Sequence, residues 1–446
     1  MRLYKVRGGI AIPDHKEGAH SPLEELTPPA VLTVSLLQHR GASARPVVKR
    51  GELVRRGQCI GEPVGLGAPI HSPVSGKVIE VASRLHPSGF YCESVVIEND
   101  GEYVDADRPE GIADPTSVKP EVIRRRVHEA GVVGLGGAMF PTSVKLAPEG
   151  PVDTLIINGS ECEPYLTCDH RVMLECTEDL IYGWQALRYA LGAKRVLIAV
   201  EANKPDAIAK LKQATTGMSD VEVVTVPAVY PQGAEDVLIR RVTGRRLRAR
   251  GLPAEVGCMV HNVATVLAVA RALRDGEPLI KRAVTVAGSG VQRAANFWVA
   301  IGTPAGHLLD HVGRRDDIRQ LIFGGPMMGQ SVSSEDVPVI KGTNGLLAIA
   351  EDDVLEFTTG VCLRCGWCLD VCPVGLEPYH LARLAEAGEW HEAEAAGAML
   401  CYECGSCSYR CPGRRPLLPL IKLAKGEILR EQAAARTRSQ TSGGVA

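Results

Sequence analysis

Two cysteine runs carry the strongest chemical signal in the chain. The first reads VCLRCGWCLDVCPVG, with thiols at Cys362, Cys365, Cys368 and Cys372. The second reads LCYECGSCSYRCPG, with thiols at Cys401, Cys404, Cys407 and Cys411. Both follow C-x2-C-x2-C-x3-C-P. Four thiolates so close together would repel one another and oxidise unless a positive centre held them. Three cysteines at every third position can wrap one face of an iron–sulfur cubane, and the fourth is too near in sequence to close the same site. In chains with two such runs the fourth cysteine ligates the other cluster, and the proline after it turns the chain away. This assigns Cys362, Cys365, Cys368 and Cys411 to one [4Fe-4S] cluster, and Cys401, Cys404, Cys407 and Cys372 to a second. Structural zinc is the rival, but zinc sites pair C-x2-4-C with a distant second pair. A disulfide framework needs an oxidising compartment, and no signal peptide is read at the start of the chain.

The other elements must position these clusters. At 446 residues the length predicts about three domains. A net charge of -2 with 45% hydrophobic residues argues against nucleic-acid or membrane-surface binding through bulk charge. No apolar run reaches the ~20 residues of a membrane span. Of the 14 cysteines, the six outside the runs (Cys59, Cys92, Cys162, Cys168, Cys176 and Cys258) read as small buried residues.

Residues 45–81 alternate short β-branched runs with Gly and Pro turns, which predicts several short strands in a sandwich or barrel. The stretch resembles biotinyl and lipoyl carrier domains. No lysine stands between Gly57 and Gly76, so swinging-arm chemistry is excluded. Residues 121–275 alternate helical and strand patterns, which predicts an α/β layer with a parallel sheet and a ligand where strands end. Residues 283–341 read as a compact β-rich module with one helix at AGHLLDHVG, and LEPYHLARLAEAGEWHEAEAAG has helix-forming composition between the two cysteine runs. RRVTGRRLRARG, with its dense arginines, reads as a solvated loop, and the tail EQAAARTRSQTSGGVA as disordered.

A second chemical motif, GVVGLGGAMFPTSVKL, follows the first helix of the α/β region. It is not a G-x-G-x-x-G dinucleotide fingerprint, because Met139 holds the third glycine position. Gly134, Gly136 and Gly137 let backbone approach a planar ring or a phosphate, Phe140 offers an aromatic face, and Lys145 a cation. The next strand ends at NGSECEPY, where Asn158, Glu161 and Glu163 cluster.

GLGGAMFPTSVKL together with NGSECEPYLTCD resembles the flavin- and NADH-binding subunit of respiratory NADH dehydrogenases, and more closely the C subunit of Rnf-type electron-transport complexes. YPQGAED and HNVATV fit later flavin- and nucleotide-contacting loops of that fold. The resemblance covers residues 2–425. It implies a multidomain α/β and α+β chain: a barrel-sandwich hybrid over 1–105, a Rossmann-like FMN- and NADH-binding α/β domain over 106–280, and a β-grasp module of the SLBB type over 281–345. A helical double-cluster ferredoxin-like domain over 346–425 and a disordered tail over 426–446 complete the order.

The resemblance further implies that FMN lies on the backbone of Gly134, Leu135, Gly136 and Gly137. Lys145, Asn158 and the Gly233–Glu235 loop would hydrogen-bond the flavin, and Asn262, Val263 and Thr265 would lie at its phosphate end. Phe140 would stack on the nucleotide, while Glu163 and Glu235 would bind its ribose or amide. The respiratory subunit has arginine where Leu135 stands, so a cation is missing there or supplied elsewhere. A hydride carries two electrons and each cluster takes one, so a flavin must stand between them. The implied function is NAD-linked electron transfer in an ion-transporting ferredoxin:NAD+ oxidoreductase. The implied site is the cytoplasmic face of the membrane, docked on integral membrane and iron–sulfur subunits with ferredoxin as ultimate redox partner. Two other readings use the same parts: a soluble reductase of the corrinoid-reductase type, and a wiring subunit without nucleotide binding.

Overall fold

The computed structural model describes residues 3–442 except 355, 356 and 359, with side chains in the last helix as far as 435. Four apolar runs form an all-parallel sheet: Thr154–Gly159, Arg195–Glu201, Val221–Val226 and Cys258–Asn262. In space the order is Val221–Val226, Arg195–Glu201, Thr154–Gly159, Cys258–Asn262. Side chains alternate faces along each strand. Leu155 and Ile157 pack under the helices Thr177–Leu191 and Val263–Arg274, whereas Ile156 packs with Leu238 and Ile239 of Glu235–Thr243 on the opposite face. Gly183 lets the first two helices close: a Cβ there would meet the Val266 carbonyl oxygen at 2.3 Å.

The N-terminal sandwich is antiparallel. Val31–Ser35, Tyr91–Asn99, Gly76–Leu85 and Leu53–Val54 make one sheet; Arg45–Pro46, Cys59–Glu62 and Ile70–His71 make the other. The third sheet is mixed, in the order Leu23–Glu25, Ala295–Ala300, Lys281–Ala287, Gly345–Ala350, Ile318–Phe323, Gln330–Val332, with the helix Ala305–Val312 against it.

This sheet corrects two expected boundaries. Residues 23–25, expected in the sandwich, pair in parallel with Asn296–Trp298. Gly345–Ala350, expected mostly in the cluster domain, is a fully buried strand inside the sheet, where its unbroken apolar run belongs. The tail is corrected too. Leu417–Ser442 is one helix, carried past residue 426 by Glu, Gln, Ala and Arg, all good helix formers; residues 443–446 lie outside the described residues. The arginine run is not a free loop. Arg240 and Arg241 end the helix Glu235–Thr243, Arg245 grips Asp153 at 2.8 and 2.9 Å, and Arg248 pairs with Glu255.

Leu381, Ala385, Ala393, Ile421 and Ala424 form a small core between the helices Pro378–Ala387, Trp390–Ala395 and Leu417–Ser442. The modules are pinned at their junctions by buried lysines. Lys341 Nζ donates to the Pro69 carbonyl of the sandwich at 2.8 Å and to the Gly131 carbonyl of the α/β domain at 2.7 Å. Burial lowers its amine to about 7. Lys16 Nζ donates to the carbonyls of Glu161, Glu163 and Leu166, tying the N-terminal arm to the loop after the first parallel strand.

The Lys341 amine gives a signed prediction. Between about 7 and the ordinary 10.5 the unfolded chain holds a proton that the folded chain lacks, so this group makes stability rise with pH across that window. K341M should show a shallower rise in urea midpoint from pH ~7 to pH ~9 than wild type. Equal slopes would contradict the buried amine.

Candidate functional site

In a parallel sheet, neighbouring strands whose connections leave in opposite directions open a crevice at their carboxyl ends. Here the order reverses between Thr154–Gly159 and Cys258–Asn262. The glycine loop lies across that opening. Leu135 N donates to Thr265 Oγ1 at 2.9 Å, and a Cβ on Gly136 would come within 3.4 Å of the Asn262 Cβ. Gly137 has φ +96 and open space where a Cβ would stand, and Gly136, Gly137 and Ala138 form an exposed lip. Met139 takes φ +49, a left-handed conformation at the position where a dinucleotide fingerprint has glycine.

Asn262 caps the twelve-residue helix Val263–Arg274, its Oδ1 accepting from Ala264 N at 2.9 Å. The positive end of that helix therefore faces the loop, a ready seat for a phosphate. Lys145 Nζ reaches Glu235 Oε1 at 2.9 Å and the Val260 carbonyl at 2.8 Å. Asn158 Nδ2 donates to the Gly233 carbonyl at 3.0 Å. The structure thus brings Gly134–Gly137, Lys145, Asn158, Gly233, Glu235, Asn262 and Thr265 to one crevice. Val263 and Leu135 turn their side chains into the core, so only their backbone is available there. Phe140 is half-buried at the loop's end, its carbonyl accepting from Gly134 N.

Two predicted residues are engaged elsewhere. Glu161 caps the helix Cys168–Glu175, accepting from Asp169 N at 2.6 Å and His170 N at 3.1 Å. Glu163 turns under the GGPMMG loop, accepting from Met327 N at 3.0 Å and Met328 N at 2.8 Å. A Cβ on Gly325 would stand 2.2 Å from Glu163 Oε2, so only glycine lets this loop close over the carboxylate. Burial raises the Glu163 carboxyl to about 7.

Other groups carry no local sequence signal. Gln232 is 1% exposed, and neither of its side-chain amide atoms has a partner. Ser160 Oγ, Asp169 Oδ1 and His261 Nε2 are likewise buried and unpartnered, and all three belong to the strand ends or to the residues bonded to them. Buried polar groups are normally paired, so this concentration fits a polar ligand in the crevice. The fully buried Arg282 donates to the Leu135 carbonyl at 3.3 Å, which puts a cation behind the loop although Leu135 itself carries none.

The cysteines divide between two surroundings. Cys372, from the first run, lines one pocket with Cys401, Cys404 and Cys407 from the second. Its other walls include Leu376, Pro378, Leu418 and Ile421. Burial raises the Cys401 thiol to about 11 and pushes Cys404 and Cys407 up as well, with the neighbouring thiols adding to the effect. Such a pocket cannot hold thiolates without a compensating cation, which fits a metal cluster. Cys368 and Cys411 share a second small core with Cys407, Ala382 and Leu417, so Cys407 stands against both surroundings, while Cys365 is exposed and Cys362 half-buried. Of the six other cysteines, only Cys168 and Cys258 are buried as expected; the remaining four are half-buried.

The raised Glu163 carboxyl has a sign of its own. Between about 4.5 and 7 the folded chain holds a proton that the unfolded chain has lost, so this group makes stability fall as pH rises through that range. E163Q should remove that component when urea midpoints at pH ~5 and ~7 are compared, and an unchanged pH dependence would contradict the assignment.

Residues 127–271 match the Nuo51 FMN-binding domain, residues 4–102 the RnfC barrel sandwich hybrid domain, and residues 361–414 a 4Fe-4S dicluster domain. The C subunit of the ion-translocating oxidoreductase complex of Rhodobacter capsulatus is 42% identical over 97% of this chain and 85% of its own length. The C subunit of the Na(+)-translocating ferredoxin:NAD(+) oxidoreductase complex of Acetobacterium woodii is 40% identical over 96% and 97%. The proton-translocating counterpart of Clostridium ljungdahlii is 39% identical over 88% and 87%. With matches to an FMN-binding domain and a 4Fe-4S dicluster domain, and relatives at this identity over nearly all its length, the chain belongs to the C-subunit family of ion-translocating oxidoreductase complexes.

Proposed function

We propose that this chain passes electrons between a nicotinamide nucleotide, FMN and two [4Fe-4S] clusters, as the peripheral electron-transfer subunit of a ferredoxin:NAD+ oxidoreductase complex. The observation that carries the reading is the shared wall between its two sites. The crevice of the α/β domain and the cavity of Cys372, Cys401, Cys404 and Cys407 are joined by direct hydrogen bonds, Tyr402 to Asp236 at 3.0 Å and Tyr230 to the Cys404 carbonyl at 2.7 Å.

Each set of residues has a task. The helix end at Asn262 and the backbone of Gly136 and Gly137 seat the phosphate and ring of FMN, with Thr265 holding the loop in place. Lys145, Glu235, Asn158 and Gln232 hydrogen-bond the flavin, the first three exchanging present partners for it. FMN held there would supply the conversion between a hydride's two electrons and the single electrons each cluster takes. Cys372, Cys401, Cys404 and Cys407 hold the cluster facing the crevice, and Cys362, Cys365, Cys368 and Cys411 the other. Phe140 and Glu235 take the nucleotide. Glu163 reaches it only if the Met327–Met328 loop lifts, because that loop now occupies both carboxylate oxygens.

The mixed sheet around Lys281–Ala287 and Gly345–Ala350 is read as the SLBB-type β-grasp module, supported by its parallel central pair and the helix Ala305–Val312 packed on it. Among the described residues no helix is long and apolar enough to cross a membrane; docking on integral subunits at the cytoplasmic face is read from the relatives' names as subunits of ion-translocating complexes. Relatives named for sodium and for proton translocation match this chain almost equally, so the choice of ion belongs to those other subunits.

The test is anaerobic. The chain is purified, reconstituted with iron, sulfide and FMN, and reduced with NADH or with dithionite under EPR. NADH should produce the same reduced-cluster signals as dithionite. Signals with dithionite alone would place the nucleotide site in another subunit and leave this chain as wiring.

A further inference from the structure

The two cysteine sets are not equivalent in their contacts, and the difference centres on one side chain. Tyr230 is 2% exposed and belongs to the loop that also supplies Gln232 and Gly233 to the crevice. Its hydroxyl donates to the Cys404 carbonyl at 2.7 Å, and Glu163 Oε1 lies 3.5 Å away. Its backbone is clamped in both directions by the N-terminal arm: Ile10 N to Tyr230 O at 2.8 Å, and Tyr230 N to Ile10 O at 2.9 Å.

The same arm reaches the other segment of that ligand set. Gly9 N donates to the Val371 carbonyl at 3.0 Å, and a Cβ on Gly8 (φ +68) would strike the Cys372 carbonyl group at 2.7 Å. Ile10, Tyr230, Val371 and Cys404 make a common apolar core, which keeps water from the space between crevice and cavity. The opposite side is open. Cys365 is exposed, and so are Val361 and Leu363 beside it.

We propose that Tyr230 is a positioning residue for the crevice-side cluster, fixing Cys404 against the FMN-binding loop so that this cluster stands between FMN and the far one. The proposal rests on the FMN and cluster reading above. Tyr230 acts through Cys404: its hydroxyl satisfies that residue's carbonyl, and its ring packs with Ile10, Val371 and Cys404. Losing the hydroxyl leaves that carbonyl oxygen unsatisfied in a dry site, which disfavours the added electron and loosens the loop.

The test uses the reconstituted full-length chain and EPR-monitored redox titration. C401S and C362S first identify which signal belongs to which cluster. Y230F should lower the midpoint potential of the signal altered by C401S and leave the C362S-sensitive signal in place. It should also shorten retention of that cluster about tenfold under chelator challenge, while FMN reduction by NADH keeps its rate. Gly8→Ala, which presses on Cys372 from the other side, should disturb the same signal. Movement of both signals together, of the C362S-sensitive signal alone, or of neither would overturn the proposal. Absence of two cluster signals or of NADH reduction in the wild-type chain would instead overturn the functional reading, and the proposal with it.

Discussion

The reversal of strand order between Thr154–Gly159 and Cys258–Asn262 is the constraint on which the molecule depends. The helices that link Thr154–Gly159, Arg195–Glu201 and Val221–Val226 pack on one face, and the helix Glu235–Thr243 that leads on to Cys258–Asn262 crosses the other. The gap between them needs no side chain to create it. Into it run the glycine loop, the end of the first strand, the Gln232–Gly233 turn and the start of the helix Val263–Arg274. Each of these offers backbone N–H groups or short polar side chains, the chemistry a phosphate and a flat ring require. The rest of the chain is arranged around this gap, with the sandwich behind Gly131, the mixed sheet beside Glu163 and the second cysteine run across Tyr230.

Buried charge holds these modules together. Lys16 ends on three carbonyls of the 161–166 loop, Lys204 on the Ser160 carbonyl and Glu201, and Lys341 on carbonyls from two other modules. A buried ammonium is expensive unless its protons find acceptors. Each lysine therefore specifies a junction geometry more strongly than an apolar contact would, because a small shift orphans a charge. Lys16 and Lys204 converge on the residues just after the first strand, so the loop between crevice and mixed sheet is among the most tightly specified in the fold.

Legibility from sequence follows the range of the physics. The cysteine spacing is local and so was legible, and Cys372 lines one pocket with Cys401, Cys404 and Cys407. The strands Thr154–Gly159, Arg195–Glu201 and Val221–Val226 were legible because each is a short apolar run between helices of period 3.6; Cys258–Asn262, whose end lies in HNVATV, reads as a loop. The partners that Glu161 and Glu163 hold in this structure were not legible. A carboxylate beyond a strand end can face a ligand or cap a distant amide, and the deciding partner for Glu163 lies 164 residues away. Arg282 was invisible because a buried polar side chain leaves no periodic trace; Tyr230 and Gln232 stood in the YPQGAED loop, but their burial and partners did not show there. The three-residue strand Leu23–Glu25 is too short to show a pattern, and its partner lies more than 270 residues later.

The central claim is an order of electron carriers: crevice, then the cluster of Cys372, Cys401, Cys404 and Cys407, then the cluster of Cys362, Cys365, Cys368 and Cys411. The most direct measurement is rapid-freeze EPR of NADH-reduced C401S and C362S chains, each reconstituted with its remaining cluster. The account predicts that C362S still reduces the crevice-side cluster at the wild-type rate. In C401S, NADH should fail to reduce the far cluster on that timescale, although dithionite does. Equally fast reduction of the far cluster by NADH in C401S would contradict the order.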